Sequence, residues 1–107
     1  MSKASSRNVI ILSPQGLHLR PAGTLVELAN QFQSQIHLKR GSVLADCKSI
    51  FDLMTLGAAQ STELNLIAKG DDAEQALDCL EDFFLRGFDE DLPEDEQGNN
   101  TAEVRAE

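Results

Sequence analysis

The sequence predicts an α+β fold: an open-faced sandwich in which a four-stranded, mostly antiparallel sheet carries three helices on one face. Three observations lead there. Stretches with strand-like and helix-like apolar spacing follow one another in the order β-α-β-β-α-β-α. Two of the strands are separated by a tight-turn candidate, which makes them a hairpin. The chain has 107 residues and is 41% hydrophobic, enough for one modest core.

The elements follow in order. Asn8 to Leu12 is a β-branched and apolar run, and Ser13-Pro14-Gln15-Gly16 supplies turn chemistry after it. From Leu19 to Gln33 the pattern becomes helical, with Ala22, Leu25, Val26, Ala29 and Phe32 recurring at spacings of three and four. Pro21 is tolerated in the first turn, where its missing N–H has no intrahelical partner. Ser34 to Lys39 alternates, Arg40-Gly41-Ser42 turns, and Val43 to Cys47 returns. Ser49 to Leu56 is a short apolar helix. Ser49 is its N-cap, Asp52 stands three residues on as in a capping box, and Gly57 stops it. Glu63 to Ala68 alternates again. Gly70-Asp71-Asp72 opens a last helix over Ala73 to Leu85, with a stripe of Ala73, Ala76, Leu77, Leu80 and Phe84 and a stop at Gly87.

The net charge is −9, unevenly spread. Beyond Arg86 eight acids face Arg105 alone, a net −7, which leaves −2 for residues 1–86. The expected organisation is a domain over residues 1–88 and an acidic, disordered, solubilising tail over 89–107. A nucleic-acid footprint would be basic, so nucleic acid is not an expected partner. No apolar run approaches the ~18 residues of a membrane span. The first residues lead into a strand, not into the apolar core of a signal peptide, so a cytoplasmic protein is expected. Cys47 and Cys79 have neither CxxC spacing nor companion ligands, which fits two reduced thiols and no metal site. No cofactor is expected.

His18 is the residue with chemical content. It lies in Gly16-Leu17-His18-Leu19-Arg20-Pro21-Ala22, where a strand gives way to a helix. The free N–H groups of the first turn, at Leu19 and Arg20, favour negative charge there. The Arg20 guanidinium adds a planar fork for phosphate oxygens. Imidazole is partly neutral near pH 7 and so is nucleophilic, and a phosphoryl group on its nitrogen transfers onward readily. Leu17 and Leu19 flank the ring and limit water. These residues describe a protein that carries a phosphoryl group.

The same residues resemble the histidine-containing phosphocarrier family of the bacterial phosphoenolpyruvate-dependent phosphotransferase system, HPr and its nitrogen-branch relative NPr. The resemblance spans about residues 8–88. The run from Gly16 to Ala22 is like the family's G-[LIM]-H-x-R-P-A signature. Lys48-Ser49-Ile50 with Met54-Thr55-Leu56-Gly57-Ala58 is like its second segment. The resemblance implies that His18 accepts a phosphoryl group on Nδ1 from phosphorylated enzyme I and passes it to EIIA-type acceptors. It also implies regulatory phosphorylation of Ser49 where an HPr kinase/phosphorylase is present. A phosphate of about −2 charge there would lie beside an apolar patch and weaken docking. That patch is expected from Leu17, Leu19, Ala22 and Gly23 with Ile50, Phe51 and Met54, while Leu53 and Leu56 belong to the core. A methionine suits a surface that meets several partners.

Three features depart from the family. Ser61-Thr62 stands where many relatives have glycine, which bears on the turn before the last strand. Some twenty residues follow the last helix. Gly87-Phe88-Asp89-Glu90-Asp91 resembles nitrogen-branch carriers, whereas Lys48-Ser49-Ile50 fits the sugar branch equally. His37 lies on a polar strand face with no acid or arginine arranged around it, and reads as a solvated histidine. Beside the phosphocarrier, expected to be a monomer, the alternative is a regulatory binding protein. Its phosphorylation state would then select kinases, transporters or transcription factors. An independent enzyme is disfavoured: the chain has no nucleotide-binding loop and no second acid–base pair.

Overall fold

A computed structural model describes residues 4–89. The strands are β1 (Ala4–Ile10), β2 (Gln35–Arg40), β3 (Val43–Asp46) and β4 (Glu63–Lys69), and the helices are α1 (Leu19–Ala29), α2 (Ile50–Met54) and α3 (Ala73–Leu85). A 3₁₀ turn, Gly87–Asp89, closes the described chain. The sheet order is β1-β4-β2-β3, and every neighbouring pair is antiparallel. This is the expected open-faced sandwich. Ile36 and Leu38 of β2, with Leu64, Leu66 and Ala68 of β4, are buried at every second position. Their neighbours in sequence lie on the open face, as the two-residue period of a strand requires.

The helices cover the other face. The inward stripe of α3 is Ala73, Ala76, Leu77 and Leu80 with Phe83 and Phe84, and α3 packs on β1, β4 and β2. α1 buries Ala22, Leu25 and Ala29, and also contacts α2 and α3. Phe88 is 5% exposed and its ring lies 5.2 Å from that of Phe83 and 5.1 Å from that of Phe84.

β2, β3, β4 and α2 depart from the expected bounds by one or two residues, and the larger differences are in β1 and α1. β1 begins at Ala4 and ends at Ile10, whereas Asn8 to Leu12 was expected. Its polar half is held because Arg7, among the half-buried residues, meets three acids of α3: Glu74 at 3.0 Å, Asp78 at 2.9 Å and Glu81 at 2.7 Å. α1 ends at Ala29, not at Gln33: the next backbone bonds, from Gln31 N–H to Leu28 O and from Phe32 N–H to Ala29 O, both 3.1 Å, span three residues instead of four, and the Asn30 side chain turns back to donate to the Val26 carbonyl at 3.0 Å. Phe32 still packs against the core from the turn that follows. There Asp72 accepts from the Gln33 and Ser34 backbone N–H groups at 2.8 and 2.9 Å and from the Ser34 hydroxyl at 2.5 Å. These bonds hold its carboxyl below the usual carboxylate range. Among the described residues no helix is long and apolar enough to cross a membrane. The acidic tail expected over 89–107 lies, beyond Asp89, outside the described residues.

Candidate functional site

The site forms where β1 runs into α1. His18 is the N-cap of α1, extended at φ −94° and ψ −174°, and its carbonyl accepts from Ala22 N–H at 3.0 Å. The His18 side chain makes no capping bond to the helix. The first-turn amides at Leu19 and Arg20 have no intrahelical acceptor, as at any helix start. The first turn of α1 carries no acid, so no carboxylate competes there for the positive end of the helix dipole. His18 is half-buried, and Leu19 and Arg20 are exposed. The structure therefore brings His18, Arg20 and the Leu19 and Arg20 amides to one end of one helix. That arrangement suits a dianionic phosphate and a ring nitrogen together.

The loop that delivers His18 is fastened to the segment after α2. Leu17 N–H donates to the Ala58 carbonyl at 2.9 Å, and Gln60 Nε2 donates to the Leu12 carbonyl at 3.1 Å. Ile11 N–H donates to Thr62 O at 3.0 Å, and Ser61 N–H donates to Ile11 O at 2.7 Å. Gly16, at φ +71°, lies so close that a Cβ there would stand 2.5 Å from the Ala58 carbonyl oxygen. Ser61 takes φ 72°, so it adopts the left-handed backbone at the position where glycine was missed. The sequence reading did not identify this brace. Its only trace was that Gly57-Ala58 closes the second motif.

α2 lies beside α1: a Cβ on Gly23 would stand 3.8 Å from Ile50 Cδ1. Ser49 caps α2 as expected, its hydroxyl accepting from Asp52 N–H at 3.2 Å. The reciprocal half of the capping box is redirected, because Asp52 Oδ2 accepts from Asp46 N–H at 3.1 Å. Lys48 Nζ donates to the Phe32 carbonyl at 2.8 Å and ties the approach to α2 onto the end of α1. Arg40 of β2 donates to the Leu56 and Gly57 carbonyls at 2.5 and 3.3 Å, and so closes the other end.

The expected docking patch divides. Phe51 is 82% and Leu19 64% exposed. Gly23, Ile50 and Met54 are half-buried. Leu17 and Ala22 are a correction: at 5% and 0% exposure both belong to the core and present no side-chain surface. The amide of Leu17 is fixed to Ala58, and Ala22 lies on the buried stripe of α1. Leu53 and Leu56, each 1% exposed, are core as expected.

Two further expectations concern other side chains. His37 does have an acid beside it, since the register of β2 and β3 sets Asp46 opposite. Both cysteines are free. Burial, then the charge of Asp46, pushes the Cys47 thiol up to about 12, and burial also raises that of half-buried Cys79. Neither is an activated thiolate. Among the described residues no group of three or more metal-ligating side chains occurs.

Residues 5–85 match the family model described as the PTS HPr component phosphorylation site. The phosphocarrier protein HPr of Treponema pallidum is 35% identical over 85 residues, covering 79% of this chain and 97% of that protein. The phosphocarrier protein NPr of Proteus mirabilis is 36% identical over 86 residues, covering 79% and 96%. The crystal structure of an HPr from Thermoanaerobacter tengcongensis superposes with a TM-score of 0.79 at 36% identity, covering 82% of this chain and 99% of that one.

Proposed function

This chain belongs to the HPr family of phosphocarrier proteins of the phosphotransferase system, and we propose that His18 is its phosphoryl acceptor. It is a carrier, not an enzyme that turns over a substrate. In this reading phosphorylated enzyme I is the donor and an EIIA-type protein the acceptor. An unprotonated ring nitrogen of His18, Nδ1 by resemblance to the family, attacks the phosphorus. The new N–P bond forms as the bond between phosphorus and the donor breaks, and the donor leaves with the electron pair. The transition state is loose, so alignment and charge stabilisation matter most. Arg20 and the Leu19 and Arg20 amides meet the phosphate oxygens. The observation that carries the proposal is His18 at the N-cap of an eleven-residue helix with no acid in its first turn.

Leu19 and Phe51, exposed on adjacent helices, support a docking surface with Gly23, Ile50 and Met54 at its floor. One surface for donor and acceptor makes the two complexes mutually exclusive, as a shuttle requires. A second reading is favoured by Ser49, which caps α2 next to Phe51. A kinase acting there would place charge beside that surface, and the protein would then select partners by its phosphorylation state. We take the carrier to work as a cytoplasmic monomer, with light scattering the check. A dimer of the T. tengcongensis HPr has been crystallised. Related proteins include both HPr and NPr; sugar EII components in its genomic company favour transport, while a lone EIIA and an HPr kinase favour the regulatory reading.

The test is incubation with phosphoenolpyruvate and cognate enzyme I, read by intact mass. We expect one acid-labile phosphate, absent in His18→Ala. A His18→Ala protein that is labelled like the wild type refutes the assignment.

A further inference from the structure

We propose that Gln60 is a positioning residue for the phosphoryl-accepting loop, acting on His18 through the carbonyl of Leu12. The proposal rests on His18 as the acceptor. The loop over 11–18 is fastened at both ends to one short stretch, 58–62: at Ile11 and Leu12 on one side, and at Leu17 on the other. Between the fastenings Gly16 N–H donates to Ser13 O at 3.0 Å, so the middle of the loop is a closed turn. The brace is itself held from behind, because Arg40 bonds the Leu56 and Gly57 carbonyls just before it. A chain of bonds thus runs from the sheet, through Arg40 and the turn after α2, to the peptide that carries His18.

In this chain of bonds Gln60 has a particular place. The tethers at Ile11, Ser61 and Leu17 are backbone to backbone, whereas the tether at Leu12 is made by a side chain. Gln60 and Leu12 are both exposed, so this tether adds little to the packed core. What it does is fix one side of the Ser13–Gly16 turn, and with it the direction in which the chain enters Leu17 and His18. Loose phosphoryl transfer tolerates little misalignment between ring nitrogen, phosphorus and leaving group. Releasing Leu12 enlarges the set of orientations open to His18 without altering Leu19 or Phe51. The loss therefore falls on the rate of transfer within the complex, not on docking.

The experiment compares Gln60→Met, of similar length without a donor, with Gln60→Lys, which restores a donor at similar reach. Acceptance of phosphate from enzyme I is resolved into kcat and KM, thermal unfolding is followed in parallel, and the His18 ring is observed by NMR. Gln60→Met is expected to lower kcat ~3- to 10-fold, the size of one lost hydrogen bond. KM should stay within about twofold and the melting temperature unchanged, as for an exposed site. The His18 ring signals should shift or broaden, and Gln60→Lys should restore both rate and signals. Wild-type kcat in Gln60→Met, or an equal loss in both variants, overturns the proposal. If the wild-type protein accepts no phosphate at all, the carrier reading fails first. The ring signals then decide the positioning role alone: unchanged in Gln60→Met, they overturn it.

Discussion

Replacing Gly16 by alanine probes the contact that seats the His18 loop. Two effects add. An alanine at φ +71° sits in left-handed space, at about 1–2 kcal/mol. Its Cβ would also stand 2.5 Å from the Ala58 carbonyl oxygen and 3.0 Å from Ala59 Cα. Those are backbone atoms and cannot swing aside, so the loop must lift. Lifting loses the Leu17–Ala58 hydrogen bond, another ~0.5–1.5 kcal/mol. The expected destabilisation is about 2–3 kcal/mol, or roughly 10–20 °C in a domain of this size. Gly41 provides the control. It has φ +58°, and a Cβ there meets nothing within 4 Å, so Gly41→Ala should show the backbone effect alone, about 1–2 kcal/mol. The assay is paired urea and thermal unfolding, with phosphate acceptance measured where both variants are folded. Gly16→Ala should be the less stable of the two and also slow in acceptance. Equal destabilisation of the two variants would show that the Ala58 contact does not seat the loop.

Two other expectations come from different parts of the fold. Hydrogen bonds from Ser34 and Gln33 lower the pKa of Asp72 in the folded state. The stability this contributes is therefore present above the unfolded value, about 4, and is lost as pH falls through the lower folded one. Asp72→Asn should melt below the wild type at neutral pH, and the gap should close on acidification; a gap that is constant with pH refutes the linkage. Phe51, at 82% exposure, gives up little packing. Phe51→Ala should leave stability within about 0.5 kcal/mol while raising KM for enzyme I several-fold, and an unchanged KM would remove Phe51 from the docking surface.

What could be read from the sequence depended on whether side chains carried the information. α3 was legible from end to end because its buried stripe repeats without interruption and Gly87 follows it. The first half of β1 was not. Ala4 to Arg7 has no apolar alternation, and Arg7 is tolerated on the helix side only because three acids about seventy residues away reach it. α1 is shorter than its apolar spacing predicts because Phe32 continues the spacing, while the tightening of the backbone bonds at Gln31 and Phe32 that ends the helix has no apolar signature. At the site, His18, Arg20 and Ser49 stood out as residue types in a motif. The brace over 58–62 did not, since most of it is backbone, and backbone hydrogen bonds look alike in any sequence. Leu17 and Ala22 were misplaced for a related reason. Proximity to His18 along the chain does not say which side of the peptide a side chain takes, and both turned inward.

The Phe83–Phe84–Phe88 cluster sets where this domain can be cut. Helix α3 is complete at Leu85, yet its two inward rings are covered by a third, that of Phe88, which directly follows Gly87 and itself takes a left-handed φ of 63°. A fragment trimmed to the end of the helix would keep all its regular secondary structure and still leave Phe83 and Phe84 facing water. A fusion joint, protease site or affinity handle is therefore best placed after Phe88. In this fold the last ring of the aromatic cluster belongs to a turn, three residues after α3 has ended.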